Sequence, residues 1–264
     1  MEDDVKADVE ITEVAEPERI RLLKVPIDIL EPEALKLTVF RLAGREEEQH
    51  IVLLSVWDLL RARRSAKYRD YVEKARLVIP ISKCLVDGAR FLLGKKPVRY
   101  MPFDFVIRSL SALEDHALSI YMLGSKKRTL ARIEKNIVST YPSLRVVGRF
   151  PGSFRREVEG TVISAIRKAS PSLLLVGNGV RGGESWLVRN AGRTGNGLRL
   201  WCSDLFDVLD GRRWRPSKRV FELGLEWIGY CTRSPIQLLR IFPFLYYNVL
   251  LLAYKARGKG KAAA

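Results

Sequence analysis

The chain of 264 residues is 47% hydrophobic and 29% charged, a balance that excludes global disorder and is enough to bury a real core. Its 46 Lys and Arg against 30 Asp and Glu leave a net charge of +16, which points to a polyanionic partner: nucleic acid, anionic lipid or a phosphorylated substrate. Cys84, Cys202 and Cys231 are odd in number and widely spaced, and His50 and His116 are scattered, so neither a disulfide framework nor a metal site is expected.

Residues 1–20 carry eight acids against Lys6 and Arg19, a net of −6, and read as a flexible acidic tail. Acids stand where a signal peptide needs positive charge and an apolar run, so the cytoplasm is the expected compartment. Residues 21–211 alternate short apolar runs with amphipathic stretches. The runs are Arg76-Leu-Val-Ile-Pro80, Ala117-Leu-Ser-Ile-Tyr-Met-Leu-Gly124, Leu144-Arg-Val-Val-Gly148, Ser172-Leu-Leu-Leu-Val-Gly177 and Leu198-Arg-Leu-Trp-Cys202. Between them, Leu130, Ile133 and Ile137 recur at helical spacing, and Val158, Val162, Ala165, Ile166 and Ala169 form one helical face. The alternation predicts an α/β fold with a Rossmann-like, mostly parallel sheet covered by helices on both faces. Ligands in such sheets bind beyond the carboxyl ends of the strands, which directs attention to the loops after Pro80, Gly124, Gly148, Gly177 and Cys202.

Residues 212–264 differ. Eleven Lys or Arg against Glu222 and Glu226 give residues 212–261 a net of +9, and the charges sit among bulky apolar residues. A helix is expected through Leu223-Gly-Leu-Glu-Trp-Ile228, and Ser234-Pro235 reads as the start of another. Residues 241–254 contain no charge, but fourteen residues fall short of the roughly 20 that span a bilayer. An interfacial helix is the favoured reading, with Arg233, Arg240, Phe242, Phe244, Lys255 and Arg257 facing an anionic membrane surface; a packed core helix is the rival.

Val176-Gly-Asn-Gly-Val-Arg-Gly-Gly-Glu184 is a glycine-rich turn between a buried strand and a helix, where backbone can approach a phosphate closely. Its surroundings resemble the WecG/TagA/CpsF family of bacterial glycosyltransferases over about residues 21–250. Val25-Pro-Ile-Asp28, Leu77-Val-Ile-Pro80, Tyr141-Pro-Ser-Leu-Arg-Val-Val-Gly148 and Gly152-Ser-Phe154 are similar to segments of that family, in its order. So are Gly177 to Asn190, Phe206-Asp-Val-Leu-Asp-Gly211, Arg215-Pro216 and Leu223-Gly-Leu-Glu-Trp227.

The resemblance implies a UDP-N-acetylhexosamine-type donor, a polyprenyl-diphosphate-linked acceptor sugar at the inner membrane face, and a C-terminal appendage that touches membrane and helps cover the site. Gly124, Gly177, Gly179, Glu184, Asp207 and Arg215 are the expected donor contacts, with Arg99 and Asp104 as catalytic residues; no cofactor or metal is implied. A homo-oligomer is compatible with this reading, and no nucleic-acid partner is expected, because the aromatics near the cations are embedded in apolar runs.

The sequence departs from the family at three places. Ile81 stands where the family has its base Asp, Leu53 and Ser55 fall on its T-x-N-A strand end, and Arg181-Gly-Gly-Glu184 replaces P-K-Q-E. Asp104 or Asp87 would have to take over as base. The alternative is a catalytically degenerate member that acts as a binding or scaffolding protein in envelope polysaccharide assembly.

Overall fold

The computed structural model describes residues 16–45, 47–213, 215–224 and 241–258. An antiparallel hairpin comes first, β1 (Glu18–Leu22) against β2 (Val25–Ile29). Its two turn residues, Leu23 and Lys24, both have positive φ, as a turn that follows the strands' twist requires. Glu18, Arg19 and Ile20, assigned above to the tail, therefore belong to a strand. Alternation puts Ile20 and Leu22 in the core, while Glu18 meets Lys95 at 3.0 Å. Residues 1–15 of the expected tail lie outside the described residues.

Next come α1 (Leu35–Ala43), β3 (Glu48–Leu54), α2 (Val56–Arg64), α3 (Ala66–Glu73) and β4 (Leu77–Pro80). They are followed by α4 (Lys83–Leu93), α5 (Pro102–Glu114), β5 (Ser119–Leu123), α6 (Lys127–Thr140) and β6 (Arg145–Phe150). After α7 (Glu159–Ala169), β7 (Leu173–Gly177), α8 (Glu184–Arg189) and β8 (Gly197–Ser203), the described chain continues with α9 (Leu205–Leu209), α10 (Lys218–Leu223) and α11 (Ile241–Ala256).

β3 to β8 form a six-stranded sheet of order β4-β3-β8-β7-β5-β6, parallel throughout. Side chains two apart share a face. Ile120, Met122, Leu173, Leu175, Leu198 and Leu200 pack with α1, α5 and α6, whereas Tyr121, Leu123, Leu174 and Val176 pack with α7 and α8. Both faces are thus covered, which is why the strands are nearly continuous apolar runs. This is the expected Rossmann-like α/β architecture. Two local expectations change: β6 runs past Gly148 to Phe150, and the α7 core face is Val162, Ile163 and Ile166, with Val158 and Ala165 exposed.

The hairpin is fastened to the sheet by one buried acid. Asp28 accepts from the Val78 amide at 2.6 Å and takes a two-pronged contact from Arg19 at 2.6 and 2.8 Å. The same guanidinium donates to the carbonyls of Ala75 and Arg76.

Helix α11 divides its residues between two environments. Tyr247 is fully buried and donates to the Cys84 carbonyl at 2.9 Å, seated over Gly88, where a Cβ would collide with its hydroxyl. Leu250, Leu251 and Tyr254 join the same cluster as α2 and α4. Phe242, Leu245, Val249 and Leu252 are more than half exposed and recur every three or four residues, one solvent-facing stripe. Among the described residues no helix is long and apolar enough to cross a membrane. Arg233, Arg240, the expected helix start at Ser234-Pro235 and the segment Leu225-Glu-Trp227 lie outside the described residues.

Candidate active site

The loops that leave β5, β6 and β7 meet at the carboxyl end of the sheet, and glycines let them do so. A Cβ on Gly152 would sit 2.6 Å from the Gly179 carbonyl carbon and the Val180 nitrogen; one on Gly124 would sit 2.9 Å from Gly177. Gly124 and Gly179 also have φ of +142° and +96°, which side chains disfavour. The loops are stitched by backbone bonds: Ser125 N to Asn178 O at 2.5 Å, Gly152 N to Ser125 O at 3.1 Å, Gly124 N to Phe150 O at 3.0 Å and Asn178 N to Ser203 O at 2.7 Å. Phe206 packs beneath Gly177, and the next residue, Asp207, accepts from the Ser125 hydroxyl at 3.4 Å. Gly124, Gly177, Gly179 and Asp207 are therefore together. Gly152 belongs with them.

The result is a close-packed junction of three loops, with Gly124, Gly152 and Gly177 buried and Gly179 exposed at its edge. Helix α6 starts on its rim, with no side chain capping its first amides and with Lys126, Lys127 and Arg128 exposed. Free amides at a helix start and nearby cations both favour an anion there.

The chain leaving α9 carries three arginines, each held by an acid. Arg212 meets Asp210 at 2.8 Å, Arg213 meets Asp204 at 2.6 Å, and Arg215 pairs with Asp104 while lying 4.2 Å above the Phe103 ring. Asp210 also takes Arg132 in a two-pronged contact, and these cations hold its carboxyl below the usual range. Asp104, in the first turn of α5, is thus paired with Arg215.

At the end of β4 the Ile81 amide donates to Leu54 O at 2.9 Å. Arg99 donates to Ile81 O at 2.8 Å and to Phe221 O at 2.6 Å, its guanidinium 3.7 Å over the Phe221 ring. It staples the turn after β4 to α10. Asp87, the other candidate base, is exposed and paired with Lys83.

Glu184 is engaged by α2. Its carboxylate is nine-tenths buried and takes Arg61 at 3.2 Å, while the same guanidinium donates to Ser185 Oγ at 2.8 Å and stacks 3.9 Å from the Tyr68 ring. Burial first, and then Asp58, push the Glu184 carboxyl up to about 7; Tyr68 and Arg61 act the other way. Asp58 is raised as well, chiefly by burial. Asp58, Arg61 and Tyr68 were not singled out from sequence as site residues, and Ser55 only as a departure from the T-x-N-A strand end. The one local signal was the Ser55-x-x-Asp58 spacing of a capping box, which the structure forms at the start of α2.

Of the expected membrane-facing residues that are described, Phe242 and Phe244 are exposed on α11, and Arg257 is exposed just beyond it. Lys255 reaches back to the Phe91 carbonyl at 3.0 Å.

A model of the glycosyl transferase WecG/TagA/CpsF family matches residues 20–262. The chain belongs to that family. No curated protein matches it. In this WecG/TagA/CpsF family member the glycine junction lies against the Phe206-Asp207 pair. Ile81, which stands where the resemblance led us to expect a base, has a side chain that accepts no proton.

Proposed function

We propose that the protein transfers a glycosyl group from a UDP-N-acetylhexosamine-type donor to a polyprenyl-diphosphate-linked or related envelope glycolipid acceptor at the inner face of the membrane. The observation that carries the reading is the glycine-lined loop junction at the carboxyl ends of β5, β6 and β7, in a chain of a glycosyltransferase family. The donor diphosphate would lie at the exposed edge of this junction, by Gly179, with the first amides of α6 and its three cations supplying positive potential. The acceptor oxygen attacks the anomeric carbon while the bond to UDP breaks. The reading invokes no cofactor beyond the nucleotide sugar.

The acceptor is a lipid, and the exposed stripe of α11, flanked by Arg64, Lys255 and Arg257, supplies a surface that rests in the headgroup region. Each cation near an anionic leaflet contributes on the order of 1 kcal/mol. The protein would thus be cytoplasmic and peripheral to the membrane.

Thermal unfolding with and without UDP and UDP-N-acetylmannosamine tests the donor reading. A ligand at 100 times its Kd adds about 2.7 kcal/mol, or a few degrees. Absence of any shift at millimolar ligand would sink it. The second reading, a catalytically degenerate binding protein, is favoured by Ile81 at the base position and by Arg99, whose guanidinium serves backbone carbonyls and the Phe221 ring.

A further inference from the structure

Resting on the glycosyl-transfer reading, we infer that Ser55 and Asp58 supply the proton acceptor that Ile81 cannot, through a relay from the acceptor hydroxyl to Ser55 Oγ to Asp58 Oδ2. Ser55 is the catalytic residue in this assignment. Asp58, which acts through it, is its positioning residue and the final seat of the proton.

The placement follows from the sheet register. β3 and β4 are parallel, with Leu54 beside Pro80, so one residue further on Ser55 stands beside Ile81. The Ile81 amide bonded to Leu54 O and the Val56 amide bonded to Ser82 Oγ hold the two chain ends in that alignment. Adjacent strands are about 4.8 Å apart. Ser55 is therefore one strand spacing from the lost carboxylate, at the same end of the sheet.

The hydrogen-bond inventory leaves Ser55 suited to the task. A serine hydroxyl has one proton to donate and two lone pairs to accept with. Its proton goes to Asp58 Oδ2 at 2.5 Å, and one lone pair takes the Asp58 amide at 3.3 Å. The other lone pair has no partner within the cap, and the residue is only partly buried. A capping box requires the Asp58 carboxylate to accept from the Ser55 amide, which it does at 3.0 Å. The short bond from Ser55 Oγ to the same carboxylate is additional to that cap.

Asp58 is enclosed by Arg61 of α2, Tyr68 and Tyr71 of α3, and Glu184 of α8. Burial raises its carboxyl above the ordinary range, which makes the ionised form a better proton acceptor than an exposed aspartate. Asp104, by contrast, is more than two-fifths exposed and shared with Arg215.

The step balances. The acceptor oxygen forms its bond to the anomeric carbon, and the bond from that carbon to the UDP oxygen breaks, UDP leaving with the electron pair. The acceptor proton passes to Ser55 Oγ as the Ser55 proton passes to Asp58. When the product leaves, the relay runs backward and delivers the proton to water.

The test measures UDP released from UDP-N-acetylmannosamine by the full chain, with a short-chain polyprenyl-diphosphate-linked sugar as acceptor and with water alone. UDP-induced thermal shifts are measured in parallel. Asp58→Asn is expected to lower release by about 100-fold or more with the UDP shift unchanged, and to remove the acid limb of the kcat/KM profile. Ser55→Ala should match it, Ser55→Thr should retain activity because it keeps both hydroxyl and cap, and the double variant should be no worse than the poorer single one. Asp70→Asn, at an exposed carboxylate paired with Lys74, should stay within a few-fold of wild type.

Asp58→Asn with wild-type release and an unchanged pH profile would overturn the assignment, as would loss of release in Asp104→Asn alone. Wild-type protein that binds UDP but releases none overturns the relay and leaves donor binding standing. If no UDP shift occurs at all, the transfer reading fails, and the relay with it.

Discussion

At the residue scale, the unusual feature is a pair of buried carboxyls, Asp58 and Glu184, sharing the neighbourhood of Arg61. Glu184 is raised from 4.5 to about 7. The folded state then holds its proton more tightly than the unfolded chain does, so its contribution to stability is complete below about pH 4.5 and lost as pH rises through about 7. Asp58 is shifted in the same direction. Glu184→Gln should therefore flatten the fall in stability between pH 5 and 8, read by urea denaturation at four or five pH values. An unchanged slope would mean that the carboxyl is ionised throughout. Glu184 itself was visible in sequence, as the acid retained from P-K-Q-E. Its partner was not, because Arg61 lies 123 residues away and no periodicity connects them.

At the element scale, α11 shows how composition can be read correctly and still leave the outcome open. Its fourteen uncharged residues excluded a span and allowed both an interfacial and a core helix. Packing buries one face and leaves the other to solvent: Tyr247 and Leu251 are buried on α2 and α4, while Val249 and Leu252 are each about 60% exposed. Val249→Glu with Leu252→Glu should leave thermal stability within about 0.5 kcal/mol per site, since exposed positions tolerate change. Binding to vesicles rich in anionic lipid should drop at least about tenfold in a sedimentation assay, because apolar burial contributes together with charge. Equal binding by the double variant would remove α11 as the docking element. The glycine junction has the same character. Gly177 and Gly179 were legible because glycines directly follow an apolar strand. Gly152 was visible only as part of a family segment, since what it must avoid is the backbone of another loop.

At the scale of the whole molecule, the hairpin of β1 and β2 is tied to the sheet through Asp28, which bonds to Val78 across 50 positions of sequence. Asp28→Ala leaves Arg19 and a strand amide without their shared acceptor. It should cost about 3 kcal/mol, the low end for a broken buried pair because Arg19 is one-third exposed. A lowered urea midpoint with unchanged slope is the expected result, and wild-type stability would show that the clasp is dispensable.

The sequence by itself determined strands β4 to β8, helices α6, α7 and α11, the parallel α/β class, the basic appendage and the family. Each of these is written in local periodicity, in composition, or in the order of short segments. The strand order was decided only in three dimensions, because buried strands are similarly apolar and carry no label for their neighbours. So were the meeting of Gly152 with Gly179, the latching of Arg215 onto Asp104 and the gathering of Ser55, Asp58, Arg61 and Glu184. These contacts join residues whose side chains or backbones become neighbours only after the sheet has placed the ends of its strands side by side.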